Sequence, residues 1–193
     1  MRFSLPSFNR RVRRQPLPTG KRAVMFRTGD FIVYESRGIC KVENITELNL
    51  PGATRGQKYY ELKPVYEEGG KIYSAVDNEK VIMRPMLTKE EAEQLIGEIP
   101  EIPEMWIGDE KQREVKYKEA MRSCDCRQWV SIIKTLYLRR ESRLSQGKKT
   151  TNTDDRYFKK AGDNLHGELA MALGREKSEM EQYISERLEQ LAK

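Results

Sequence analysis

Residues that could support catalysis or metal binding are sparse in this chain. Cys124 and Cys126 stand one residue apart, which is the wrong spacing for a four-ligand zinc site, and no second Cys/His pair follows them. His166 lies within a helical pattern that has no nearby nucleophile, so we expect a surface or partly buried histidine there. Residues 147–150, Gly-Lys-Lys-Thr, lack the full pattern of a phosphate-binding loop. We therefore predict no enzyme activity, no metal site and no cofactor.

Binding chemistry has more support, because basic side chains accumulate in the C-terminal half. Lys and Arg neutralise phosphate groups, and such surfaces are typical of nucleic-acid binding. Solvated helix faces carry similar charge, so composition alone leaves both interpretations open. The candidate phosphate-binding side chains are Arg113, Lys116, Lys118, Arg122, Arg139, Arg140, Arg156 and Lys160.

Trp106 stands in a polar, Pro-flanked stretch and has no apolar companions at helical spacing. We expect a loop there, directly ahead of the basic helices. An indole displayed beside a basic surface can wedge against a base step in the minor groove of DNA, where deformability replaces base-edge readout. The alternative is a hydrophobic staple, in which the same ring covers the core of the helices.

The formal charge of +6 over 193 residues is distributed unevenly. Residues 23–110 contain 10 basic and 17 acidic side chains, whereas residues 111–160 contain 15 basic and 6 acidic ones. This asymmetry suggests two partners, one of them a polyanion. No apolar run is long enough to span a membrane, and the three cysteines are too sparse for a disulfide framework, as expected in a reducing cytosol.

Hydrophobic periodicity predicts an α+β protein with two domains. Residues 1–24 combine Arg with Pro and Gly and are predicted to form a disordered basic extension. Short alternating stretches separated by turn residues predict a small antiparallel sheet or barrel within a domain of residues 25–97. The predicted strands cover residues 31–34, 38–42, 59–63, 71–75 and 81–84.

The remaining residues, 98–193, are predicted to form an all-helical bundle of about four helices. Thr88 and Glu91 match a capping box for a short helix before the boundary. Helical patterns then cover residues 112–122, the stretch from Asp125 onwards, the stretch that ends at Gly174, and a last segment from Ser178. Five apolar residues at helical spacing form a stripe that faces a core: Trp129, Ile132, Ile133, Leu136 and Tyr137.

The order of these pieces resembles the CarD/CdnL transcription regulators of bacteria. The resemblance covers roughly residues 25–175 and depends on the opening Met25–Tyr34, the Tyr60–Lys63 strand, the lone Trp106, the basic stretch to Asp125, and the late Leu165–Leu169. It implies a Tudor-like N-terminal module, similar to one in the transcription-repair coupling factor, that binds the RNA polymerase β subunit. It also implies a helical domain that contacts promoter DNA at the upstream edge of the −10 element and stabilises the open complex.

Carried onto this sequence, the resemblance gives Trp106 the role of the minor-groove wedge. Arg113, Lys116, Arg156 and Lys160 fall near basic positions of the family that face phosphate. The polymerase contact would involve the strand around Thr46–Leu50, with Leu48 where some members have arginine. The implied contact residues are Thr46, Leu48, Leu50 and Ser74.

We therefore expect a cytoplasmic monomer, associated with the nucleoid through RNA polymerase, whose partners are the polymerase β subunit and promoter DNA. No membrane contact and no small-molecule substrate are expected. An alternative is a basic nucleic-acid-binding adaptor in repair or translation that docks a different protein. A third possibility is a structural scaffold, which would show no salt-dependent binding of duplex DNA.

Overall fold

The N-terminal end of the described chain forms a sheet, as the alternating stretches predict. The structure is a computed structural model that describes residues 25–48, 56–67 and 69–191. The predicted extension over residues 1–24 and the predicted contact residue Leu50 lie outside the described residues. Within those residues the strands are β1 Phe31–Tyr34, β2 Gly38–Glu47, β3 Lys58–Pro64, β4 Ile72–Ala75 and β5 Met83–Pro85.

The strands form one antiparallel sheet in the order β4-β3-β2-β1-β5. Strand β2 extends to Glu47, beyond its predicted end at Val42, and the pairing register shifts between Val42 and Asn44. Such a bulge bends the strand, which allows its first part to pair with β1 while its later part continues along β3. The inner face of the sheet buries Phe26, Ile32, Cys40, Val42, Tyr60 and Leu62.

Five α-helices follow the sheet in the described part of the chain. Their bounds are α1 Lys89–Glu98, α2 Arg113–Arg122, α3 Cys126–Ser145, α4 Asn152–Leu173 and α5 Met180–Leu191. The Thr88 hydroxyl accepts from the Glu91 N–H and the Glu91 carboxylate accepts from the Thr88 N–H, which confirms the capping box. Asp125 caps α3, and Gly174 ends α4 in the left-handed conformation that favours glycine.

The apolar stripe of α3 forms the centre of the helical core. Trp129 is fully buried, and Ile132 and Leu136 are also buried. Tyr137 departs from the prediction, because its side chain is 54% exposed although its spacing matches the stripe. The buried stripe is narrower than the sequence suggests, and Tyr137 at the edge of the stripe is exposed to solvent.

The sheet packs directly against the helices and is not connected to them by a linker alone. Val33 of β1 belongs to the helical core cluster, and α4 packs against β2. Helix α1 also packs against α4 and α5, with Ala92, Leu95 and Ile96 in the helical core. The domain boundary near residue 98 remains a prediction. No helix in the described ranges has the length and apolar character needed to cross a bilayer.

Candidate nucleic-acid interface

Trp106 lies on the segment between α1 and α2, and its side chain is 82% exposed. Its neighbours fix the backbone, since Met105 and Ile107 both pack against the helical core. The Met105 N–H donates to the Thr135 hydroxyl on α3 at 2.7 Å, and that hydroxyl donates to the Ser131 carbonyl. The chain is therefore held on both sides of a ring that faces solvent, and the predicted loop is confirmed. The alternative in which Trp106 covers the helical core is wrong.

Gly108 gives the indole its position. A Cβ atom at this residue would lie 2.5 Å from Cη2 of Trp106 and 2.9 Å from Cζ2, which is closer than real side chains approach. The six-membered part of the ring thus lies over the Gly108 backbone. Any larger residue here would displace the exposed ring from this position, although the φ angle of Gly108 is not left-handed.

Two of the predicted DNA-contacting cations, Arg113 and Arg139, belong to an internal ion-pair network. Arg139 donates to both carboxylate oxygens of Glu110 at 2.8 and 2.9 Å and to Asp154 at 3.1 Å. Arg113 contacts Glu110 at 2.5 Å and Asp154 at 3.3 Å. The hydrogen bond from Arg139 lowers the pKa of the Glu110 carboxyl, so the acid stays charged. These guanidinium groups hold the start of α2 to α3 and α4 and are only partly available to phosphate.

Four predicted cations line one groove between α2 and α4, beside a one-turn 3₁₀ helix at Glu35–Arg37. They are Lys118, Arg122, Arg156 and Lys160. Three of them pair with acids: Arg122 with Glu35 at 3.2 Å, Arg156 with Glu114 at 2.7 Å, and Lys160 with Glu67 at 2.9 Å. We call this concavity the junction groove, because both the sheet region and the helices contribute to it.

The other two predicted cations lie apart from this groove. Lys116 is half exposed on α2 and lies 3.9 Å from Glu119. Arg140 is exposed on α3 and lines a small cavity with Asp155 and Phe158. The structure therefore divides the eight predicted cations among a network, a groove and two separate surface positions.

The predicted polymerase-contact residues lie on different parts of the sheet. Thr46 pairs with Tyr59 across β2 and β3, and Leu48 follows the end of β2. Among the described residues, this end of β2 has no strand on its other side. Ser74 lies on the edge strand β4 but is only 3% exposed, so its side chain faces the interior. Backbone groups at these edges are suited to strand addition by a partner.

A buried ion pair fixes the sheet against the helices. The Glu168 carboxylate is fully buried on α4 and accepts from Arg84 of β5 at 2.5 and 2.8 Å. It also accepts from the Leu87 N–H at 2.9 Å. Burial lowers the pKa of Arg84, but the hydrogen bonds and charge of Glu168 outweigh burial and raise it, so the guanidinium stays charged. The guanidinium also lies over the Trp129 ring.

The two cysteines near this ion pair are buried, and their thiols are expected to react slowly. Burial raises the pKa of the Cys124 thiol to about 12 and also raises that of Cys126. A thiol with a raised pKa forms little of the reactive thiolate at neutral pH. The Cys126 sulfur contacts Glu168 and Arg84, so this side chain packs in the joint between the sheet and the helices.

The sheet region carries the family signature. Residues 26–87 match the model of the CarD-like/TRCF RID domain. We refer to residues 26–87 as the RID domain after this family model. The match supports a CarD-like protein and an RNA polymerase-interacting, transcription-related role. The matched range covers all five strands of the sheet and ends before α1. No curated protein matches the chain.

Sequence reasoning missed the acids that engage the predicted cations. Glu35 and Glu67 in the RID domain pair with cations of the helices, and Asp154 lies buried between two arginines. The pair of Glu110 and Arg113 has a local spacing of three residues that could have indicated it. The pairs made by Glu35, Glu67 and Asp154 join residues far apart in sequence, and no local pattern signals them.

Proposed function

We propose that this protein binds the RNA polymerase β subunit through its RID domain and stabilises the promoter open complex. In this proposal Trp106 enters the minor groove near the upstream edge of the −10 element. The observation that carries the proposal is the exposed Trp106 ring on a backbone held at Met105 and Ile107. Because the ring is 82% exposed, burial of its apolar surface contributes little to the stability of the fold. The same surface can be buried against unstacked bases in DNA, which would contribute to binding.

The RID domain provides the tether. A domain that holds the helices near promoter DNA raises their effective concentration, so weak contacts with DNA become sufficient. Strand addition at the open edge of β2 would use main-chain groups and would tolerate Leu48 at a position where some family members have arginine. The side chain of Thr46 is partly exposed at this edge, whereas buried Ser74 would contribute only its backbone.

The distribution of the cations supports weak and salt-sensitive DNA binding. Arg113 and Arg139 already bind Glu110 and Asp154, so a phosphate must compete with these carboxylates. Lys116, Lys118 and Arg140 are exposed and can contact phosphate without losing a short ion pair. Contacts of this kind position a protein on DNA but carry no sequence information. By linkage, the protein can shift the open-complex population only by its preference for open over closed DNA.

Promoter opening with purified bacterial polymerase tests the proposal. We expect the full-length protein to increase the fraction of open promoter and to lengthen the lifetime of the complex after a competitor is added. The effect should weaken as salt is raised, because the DNA contacts are electrostatic. Unchanged opening at a concentration where the protein binds polymerase would contradict the proposal. Failure to retain core polymerase in a pull-down would instead favour an adaptor role with another partner.

A further inference from the structure

The junction groove has the size and lining of a small-molecule site. Its volume is about 650 Å³, which lies within the range of ligand pockets in proteins. Met121 and Tyr157 contribute apolar surface to its lining. Five cations and two acids line it in all: Lys118, Arg122, Arg156, Lys159 and Lys160, with Glu35 and Asp163.

The unpaired charge in this groove is positive. Within the described residues, Lys118 and Lys159 are exposed and have no ion pair. Arg122 has one carboxylate partner, the partly buried Glu35, and Arg156 has one, the exposed Glu114, which leaves further N–H donors free. Planar guanidinium groups bind phosphate oxygens in pairs, while lysines add charge. The groove is therefore complementary to a compact, multiply charged phosphate group.

The aromatic surface adds a second requirement for the ligand. The Arg156 guanidinium lies 5.1 Å from the centre of the Tyr157 ring, and Tyr157 is partly exposed. A planar ring can stack on such a guanidinium or on the free edge of this aromatic pair. Inorganic phosphate would satisfy the cations but would leave this apolar surface exposed to water.

We propose that the junction groove binds a free nucleotide, with its phosphates on the cations and its base against Arg156 and Tyr157. The groove joins the RID domain to the helices through Glu35 and Arg122. A nucleotide bound there stabilises the folded protein, because it contacts elements that separate on unfolding. The groove shares Lys118 with the proposed DNA contacts, but the test of this site needs neither polymerase nor DNA.

Calorimetric titration of the full-length protein with GTP and ATP tests the site, with thermal unfolding as a second readout. We expect saturable binding of one nucleotide and a raised midpoint of unfolding. The Lys118→Gln/Lys159→Gln variant should bind about tenfold more weakly or worse, because it loses two charged contacts. The matched control is Lys80→Gln/Lys89→Gln, which removes the same charge from exposed positions outside the groove and should bind as the wild type does.

Four results would overturn the proposal. The first is no saturable binding at millimolar nucleotide. The second is equal weakening in both double variants, which would indicate binding to net charge only. The third is tripolyphosphate binding as tightly as the nucleotide, which would show that the base makes no contact. The fourth is binding of a short single-stranded oligonucleotide at this groove when free nucleotides do not bind.

Discussion

Trp106 and Trp129 belong to one stretch of chain but occupy opposite environments. Trp129 is fully buried on α3, and the Arg84 guanidinium lies over its ring. Trp106 is 82% exposed, although the residues on both sides of it are packed. In one case the structure surrounds the ring, and in the other it fixes the backbone and leaves the ring in solvent. The first ring should therefore matter for folding and the second for binding.

The largest expected effect concerns the stability of the two tryptophan variants. Trp129→Ala should lower the free energy of unfolding by about 3–5 kcal/mol, because it leaves a cavity in the core. Trp106→Ala should change it by less than about 0.5 kcal/mol, because the ring is exposed. Urea denaturation followed by circular dichroism measures both values. Similar losses of unfolding free energy in the two variants would contradict the different roles assigned to the two rings.

The next effect concerns the ion pair that lies over Trp129. Glu168→Gln should lower the free energy of unfolding by about 3 kcal/mol, because a largely buried guanidinium loses its charged partner. The matched variant is Glu67→Gln, whose exposed pairs with Arg37 and Lys160 contribute less than about 1 kcal/mol. Urea denaturation of both proteins separates the two cases. If Glu168→Gln proves as mild as Glu67→Gln, the sheet and helices are not joined by this pair.

Gly108 tests the other side of the comparison. Gly108→Ala places a methyl group against the Trp106 ring and should displace it, so the open-complex lifetime should fall several-fold. The stability of the protein should change little, because the displaced ring is already exposed. Gly162→Ala on α4 is the control, since its added methyl group meets no atom within 4 Å. A normal lifetime for Gly108→Ala would show that the position of the indole is unimportant.

The smallest expected effect is a pH dependence of the free energy of unfolding that arises from His166. Burial lowers the pKa of His166 below its ordinary value of 6.5, although Glu181 and Asp163 oppose this shift and Lys177 adds to it. As the pH falls, His166 is therefore protonated at a higher pH in the unfolded chain than in the folded one. The stabilisation from neutral His166 is complete above pH 6.5 and is lost as the pH falls through that value towards the lowered pKa.

His166→Gln measures this contribution by difference, because other titrating groups are shared with the wild type. Urea denaturation between pH 8 and pH 5 should show a smaller loss of stability in His166→Gln than in the wild type. Parallel curves for the two proteins would show that His166 has the same pKa in the folded and unfolded states.

Local patterns in the sequence predicted much of the fold. The capping box at Thr88, the helix start at Asp125 and the helix end at Gly174 depend on neighbouring residues, and all three are confirmed. The burial of Trp129 was predicted from its apolar companions at helical spacing. The strand β2 was predicted too short, because the polar Asn44 and Thr46 interrupt its alternation.

The arrangement of charges could not be predicted in the same way. Arg139 was predicted as a DNA contact from its charge, and Arg113 from its charge and the family resemblance, but each also contacts Asp154 across the helices. Glu168 reads as an ordinary helical glutamate in the sequence, yet it is fully buried against Arg84. These pairs depend on how distant segments meet, which short-range periodicity does not specify. The predicted cation set therefore contained both structural and accessible side chains.

The central claim is that Trp106 acts on promoter DNA while the RID domain holds polymerase. The most direct measurement is the lifetime of open complexes formed with wild-type protein or with Trp106→Ala, at concentrations that saturate polymerase. We expect Trp106→Ala to bind polymerase with unchanged affinity and to leave the lifetime close to that of polymerase alone. A lifetime equal to that with wild-type protein would contradict the claim.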